Sequence, residues 1–128
     1  MFLGLRSLIH PAPDLDAAKV FYTSMLGKEP YFDEPFYVGY SVGGFELGLW
    51  PGGDPAVGPV AYWGVDNIDK ALEHVLALGA TAVGEIEDVG EAIRMVRIAP
   101  PTGGVFGLIE NPNFVADSAP PALTGPGR

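Results

Sequence analysis

Apolar residues recur along this chain in two rhythms. Between residues 15 and 26, Leu15, Ala18, Tyr22, Met25 and Leu26 fall near one face at helical spacing, which predicts an α-helix. Asp14 suits its N-cap behind Pro13, and Gly27 suits the left-handed position after its last turn. A second helix is predicted over 68–78, with Ile68, Ala71, Leu72, Val75, Leu76 and Leu78 as its stripe. Asp66 or Asn67 caps it and Gly79 ends it. Elsewhere the alternation has a period of two. Short strands are predicted over 3–10, 29–33, 36–42, 45–50, 60–65, 82–88, 92–98 and 105–110. A Gly/Pro loop over 51–59 separates the two halves.

Each half therefore reads strand, helix, three strands. The halves also align residue against residue. Asp14-Leu15-Asp16 matches Asn67-Ile68-Asp69, and Gly27 matches Gly79. Gly43-Gly44-Phe45-Glu46-Leu47 matches Gly103-Gly104-Val105-Phe106-Gly107-Leu108 with one inserted residue, so that Glu46 meets Gly107. A unit of about 50 residues is too small to close a core alone, which points to paired modules. Module one is set at 1–52 and module two at 60–112, together one domain over 1–112, with a Pro-rich tail over 113–128.

Composition narrows the function. With 18 Gly and 13 Pro the chain nears the range of disordered sequences, but 48% apolar and only 18% charged residues favour a packed core, so these residues read as turns. The net charge of −9 argues against nucleic acid and anionic membrane surfaces, and it permits a cationic ligand. The absence of cysteine excludes disulfides, thiolate catalysis and cysteine-type zinc sites. No apolar run is long enough to span a bilayer, and the opening segment is too short and too polar for a signal peptide, so the expected location is the cytoplasm.

Two stretches carry a family resemblance. PDLDAAKVFYTSMLGKEPYF at 13–32 and YWGVDNIDKALEHVLALGAT at 62–81 resemble the first- and second-module signatures of the vicinal oxygen chelate superfamily. That superfamily includes glyoxalase I, extradiol dioxygenases and bleomycin-resistance proteins. The resemblance covers residues 3–112 and implies an α+β fold of two βαβββ modules curled into a cup. It also implies a divalent metal at the cup floor, held from the first and last strand of each module. Carried over by position, those sites fall on Ser7, Glu46, Val60 and Gly107. Glu46 alone is a credible ligand, so no metal and no other cofactor is expected.

Alternation places the candidate site. Glu46, Gly48 and Trp50 share one face of their strand, which should be the cup, and Phe45, Leu47 and Leu49 the other. Tyr37, Tyr62 and Ser7 join Glu46 and Trp50 as cup candidates, and glycines among the aromatics should leave room for a flat ligand. Arg94 and Arg97 lie on opposite faces of one strand; one of the two must point inward or to an edge, where it could neutralise Glu46, and Arg94 is taken among the ligand-binding candidates. His10 reads as a packing residue and His74 as a surface one. No Ser/His/Asp arrangement and no phosphate loop is apparent.

The leading expectation is a glyoxalase/bleomycin-resistance-like protein that binds a small organic molecule, cationic in keeping with the acidic chain. The alternative is an enzyme. It is either a metal-dependent lyase, isomerase or dioxygenase with displaced ligands, or a metal-free one with Glu46 as base. A homodimer is expected from the paired modules and the tail.

Overall fold

The computed structural model describes residues 1–114. Residues 115–128, which hold most of the Pro-rich tail expected to support a dimer, lie outside the described residues. The elements run β1 (Phe2–Pro11), α1 (Leu15–Leu26), β2 (Phe32–Glu34), β3 (Tyr37–Val42), β4 (Phe45–Trp50), β5 (Val60–Val65), α2 (Ile68–Ala77), β6 (Thr81–Gly90), β7 (Ile93–Ala99) and β8 (Phe106–Glu110). All eight strands form one mixed sheet in the order β2-β3-β4-β1-β5-β8-β7-β6. In each half the first strand pairs in parallel with the last, β1 with β4 and β5 with β8. The halves join where β1 and β5 pair antiparallel.

The helices form where their caps allow. Asp14 accepts a hydrogen bond from the Ala17 N–H at 3.1 Å, and Gly27 closes α1 at φ +65°. At α2 the cap is Asn67, which accepts from the Lys70 N–H at 3.1 Å. Both helices cover the same side of the sheet. Leu15, Ala18, Tyr22 and Leu26 pack on Ala12, Val38, Tyr40 and Leu49, whereas Met25, assigned to that stripe, is 57% exposed. Ile68, Ala71 and Val75 of α2 pack on Val65, Val96, Ile98 and Leu108. Leu76 and Leu78, also assigned inward, face out.

The expected strand over 29–33 is shorter and later, Phe32–Glu34. Pro30 has no N–H to donate, so pairing opens only with a single bond from the Tyr31 N–H to the Gly39 carbonyl. Phe36, just before β3, and Val42, at its end, are exposed, whereas Val38 and Tyr40 between them are buried.

The β6–β7 turn carries two successive left-handed residues without glycine, Glu91 (φ 55°) and Ala92 (φ 63°). Asn113 Nδ2 holds the turn by donating to the Glu91 carbonyl at 2.7 Å. Hairpins of this kind prefer Gly at the second position. Ala92→Gly is therefore expected to stabilise the chain by about 0.5–1 kcal/mol, the relief of left-handed strain exceeding the extra chain entropy. A melting temperature that falls would show the strain to be absent.

Candidate functional site

The side of the sheet opposite the helices is the face expected to form the cup. Residues of alternate parity on the inner strands point into it: Ile9 of β1, Tyr37 of β3, Val60 and Tyr62 of β5, Ile93 and Met95 of β7 and Ile109 of β8 form its apolar lining. Ser7 and Glu46 lie opposite each other in the β1–β4 register, and Ser7 lies opposite Tyr62 in the β1–β5 register.

Glu46 is the polar centre of this face. Its Oε1 accepts hydrogen bonds from Ser7 Oγ at 2.9 Å and from the Tyr37 hydroxyl at 2.7 Å. Its Oε2 accepts one from the Tyr31 hydroxyl. Glycine at position 39 makes this possible, because a Cβ there would stand 2.9 Å from Glu46 Oε2 and 3.2 Å from the Tyr31 ring. Sequence reasoning missed Tyr31: it fell in the strand expected over 29–33, whereas in the structure it sits in the α1–β2 connection and follows no strand face.

Trp50 stands at the rim with the Arg97 guanidinium 5.5 Å from its ring centroid. A small cavity of about 40 Å³ opens there, bounded by Trp50, Tyr62, Arg97, Ile9, Val60 and Asp54. A larger surface concavity, about 580 Å³, lies outside the cup between the start of α1 and the β2–β3 turn. Of its charged groups Asp14 caps α1 and Lys19 pairs with Asp33, while Asp16 and Glu34 also line it.

Three expectations are corrected. Arg94 does not reach the cup. It lies on the helix side, paired with Asp69 of α2 at 3.0 Å and with Glu110 at 3.2 Å, while Glu110 also accepts the Ile68 N–H at the start of α2. Arg97 is the arginine that faces inward. Secondly, Val60 is not the counterpart of Ser7. Gly107 lies opposite Tyr62, as Glu46 lies opposite Ser7, so Tyr62 takes that place. Counting back from the helix caps failed because Ser7 lies eight residues before the first residue of α1 and Tyr62 only six before that of α2. Thirdly, the cup glycines do not leave free volume. The Tyr37 hydroxyl occupies the space a Cβ would need at Gly48, and the Tyr62 ring does so at Gly107.

His10 points to the helix side, its ring 5.8 Å from that of Tyr22, and His74 is exposed on α2.

The four positions at which the superfamily resemblance implies metal ligands are thus Ser7, Glu46, Tyr62 and Gly107. One offers no side chain and one a phenol ring packed over that gap. The carboxylate oxygens already receive three hydroxyl hydrogens. Hydrogens rather than lone pairs converge here, and the residues do not fit a divalent metal. Among the described residues, no three His, Cys, Asp or Glu side chains gather elsewhere.

The tyrosines are held neutral. Burial raises the Tyr37 and Tyr31 phenols well above their ordinary value of 10.0, and the Glu46 carboxylate adds to both. Burial also raises Tyr62, against an opposing pull from Arg97. Each phenol therefore ionises earlier in the unfolded chain than in the folded one. Their contribution to stability is full below about pH 10 and is lost as pH rises from there toward the folded-state values. Urea midpoints between pH 8 and 11 are expected to drop for the wild type and to drop less for Tyr37→Phe.

No family profile matches the chain. It is 33% identical over 107 residues to the candidate glyoxylase CFP32 of Mycobacterium tuberculosis and of Mycobacterium bovis; the match takes in 74% of this chain but only 41% of those proteins. Among solved structures, a variant of the methylmalonyl-CoA epimerase of Streptomyces coelicolor with bound 2-nitronate-propionyl-CoA superposes with a TM-score of 0.73. It covers 91% of this chain and 100% of that one at 15% identity. A glyoxalase/bleomycin resistance protein/dioxygenase superfamily member from Vibrio splendidus gives 0.63, 19% identity and 83% and 97% coverage. Among the described residues no helix is long and apolar enough to cross a membrane. In module order, sheet topology and signature segments, the chain has the fold of the vicinal oxygen chelate superfamily, the glyoxalase/bleomycin-resistance fold.

Proposed function

We propose that the chain binds a small organic molecule in the cup, in the cytoplasm, with Glu46 as the polar anchor and Trp50, Tyr37 and Tyr62 as the flat walls. The observation that carries this reading is the convergence of one carboxylate and three hydroxyls on the apolar face opposite the helices. A carboxylate held by three donors is a fixed acceptor, suited to a ligand that brings a hydrogen-bond donor or a positive charge. The Trp50 ring already takes the guanidinium of Arg97, so it serves as a flat wall and the ligand's charge is left to Glu46. The net charge of −9 draws cations from a distance.

A melting-temperature screen with aromatic ammonium compounds, aromatic carboxylates and neutral aromatics tests the reading. Aromatic ammonium compounds are expected to stabilise most, by about 2.7 kcal/mol at a hundred times Kd. Stabilisation by none of the three classes, or by carboxylates alone, overturns it. The second reading is proton transfer with Glu46 as base, favoured by the likeness in fold to an epimerase. It requires a turnover assay on a carbon acid rather than a binding screen.

We also propose that a second copy covers the helix-side seam between the modules. Phe2, Leu8 and Trp63 are 42%, 41% and 39% exposed there, and Phe2 packs edge-on to Trp63. The seam runs along the joint between two similar modules, so the same patch can face itself across a two-fold axis. Leu8→Glu is expected to convert a dimer to a monomer in sedimentation. A monomeric wild type ends the proposal.

A further inference from the structure

The two oxygens of Glu46 are not equivalent. Oε1 is held from the frame of the sheet. Ser7 is buried on β1 directly across from Glu46, and Tyr37 stands on β3 with its hydroxyl in the space over Gly48. Neither donor leaves without disturbing a strand or emptying a filled space. Oε2 is held differently. Among the described residues its one donor is the hydroxyl of Tyr31, which belongs to no strand or helix and is 62% exposed.

The backbone of Tyr31 is nonetheless fixed, through its N–H on the Gly39 carbonyl at 3.0 Å. The missing Cβ at Gly39 leaves the phenol a path beside the strand. The ring can therefore rotate into solvent about its own side-chain bonds with no change in the sheet. Water can receive the freed hydroxyl, so this is the cheapest of the three bonds to give up.

We infer that Tyr31 is an exchangeable cap on Glu46 Oε2, and that the ligand's N–H or O–H donor takes this oxygen in its place while Ser7 and Tyr37 stay on Oε1. The inference rests on the reading that Glu46 anchors the ligand, and it adds the atom, the residue displaced and the chemistry required. The ligand end that enters the cup must carry a hydrogen-bond donor. A ligand end with acceptors only would leave Oε2 to Tyr31 and meet a phenol already committed to Glu46. Tyr31 is thus a specificity residue, competing with every ligand and losing only to those that supply a donor.

Two measurements test it. The first needs no ligand. A water-soluble carbodiimide with an excess of a small amine modifies accessible carboxylates, and mass spectrometry of peptides gives the rate at Glu46 relative to exposed Glu85. Tyr31→Phe is expected to raise that relative rate at least 5-fold, and Tyr37→Phe is expected to raise it much less. Equal rates in wild type and Tyr31→Phe overturn the inference, as does an equal rise in the two variants. The second measurement uses benzylammonium as probe. Tyr31→Phe removes the competitor, so affinity is expected to rise about 2- to 12-fold, and Tyr37→Phe is expected to give no rise. Probe affinity unchanged or weakened in Tyr31→Phe overturns the exchange. Failure of the underlying reading looks different. Benzylammonium then binds neither wild type nor variants, or binds regardless of Glu46→Gln, while the labelling rates still decide whether Tyr31 caps Oε2.

Discussion

Glu46→Ala is expected to lower the unfolding free energy by about 2–4 kcal/mol, and Glu46→Gln by about 1 kcal/mol. The difference follows from what each change leaves behind. Alanine removes the acceptor of three hydroxyls at once. Tyr31 turns to water, but Ser7 is buried and the Tyr37 hydroxyl is enclosed over Gly48, so both lose their partner without replacement. Glutamine keeps the shape. Its carbonyl still accepts from Ser7 and Tyr37, and its amide donates to the Tyr31 oxygen, with Tyr31 turning its hydrogen outward. Binding reverses the order of concern. Glu46→Gln is expected to weaken an aromatic ammonium ligand about 10- to 150-fold, since a charge-assisted contact is lost. Urea unfolding and calorimetric titration on the two variants read both effects. A glutamine variant that binds as the wild type does would leave Glu46 a structural acid.

Gly107→Ala is expected to cost about 1–3 kcal/mol, a large effect for one methyl group. Gly107 lies opposite Tyr62 on the neighbouring strand, and the Tyr62 ring rests on its α-carbon where a side chain would stand. The backbone there is extended rather than left-handed, so the cost comes from space alone. The ring would have to tip into the cup and toward Arg97 and Trp50, and the two variants should not act independently. With Tyr62→Ala already in place, Gly107→Ala is expected to cost about 1–2 kcal/mol less than in the wild type. Additive losses would show that the ring does not press on the glycine.

How far the sequence could be read depended on whether one face of each element was apolar and the other not. β4 and β5 fall at the expected limits, Phe45–Trp50 and Val60–Val65, and α1 at Leu15–Leu26 between its expected caps. Glu46 could be placed in the cup because polar and apolar residues alternate along β4. β7 offered no such guide: Ile93 and Met95 line the cup while Val96 and Ile98 line the helix side. With both faces apolar, alternation separates Arg94 from Arg97 but does not say which one turns inward. The match of Val60 to Ser7 failed for another reason. It was counted from the helix caps, whereas strand register is set by pairing, and the two halves differ in the number of residues between the paired position and the helix. Tyr31 could not be placed at all, since its role depends on a carboxylate 15 residues later in the chain and on a glycine that makes room.

The antiparallel joint between β1 and β5 has a kinetic side. The hairpins β3–β4 and β6–β7 close over a few residues, whereas β1 must find β5 across the whole of module one, with Ser7 meeting Tyr62. Loop closure over that distance comes late, after the local pairs have formed. Ser7 belongs to the first half and Tyr62 to the second, and the cup exists only once that joint has formed. In a refolding experiment, secondary structure should therefore recover ahead of the enclosed environment of the cup, and the capacity to bind should return with the slowest phase.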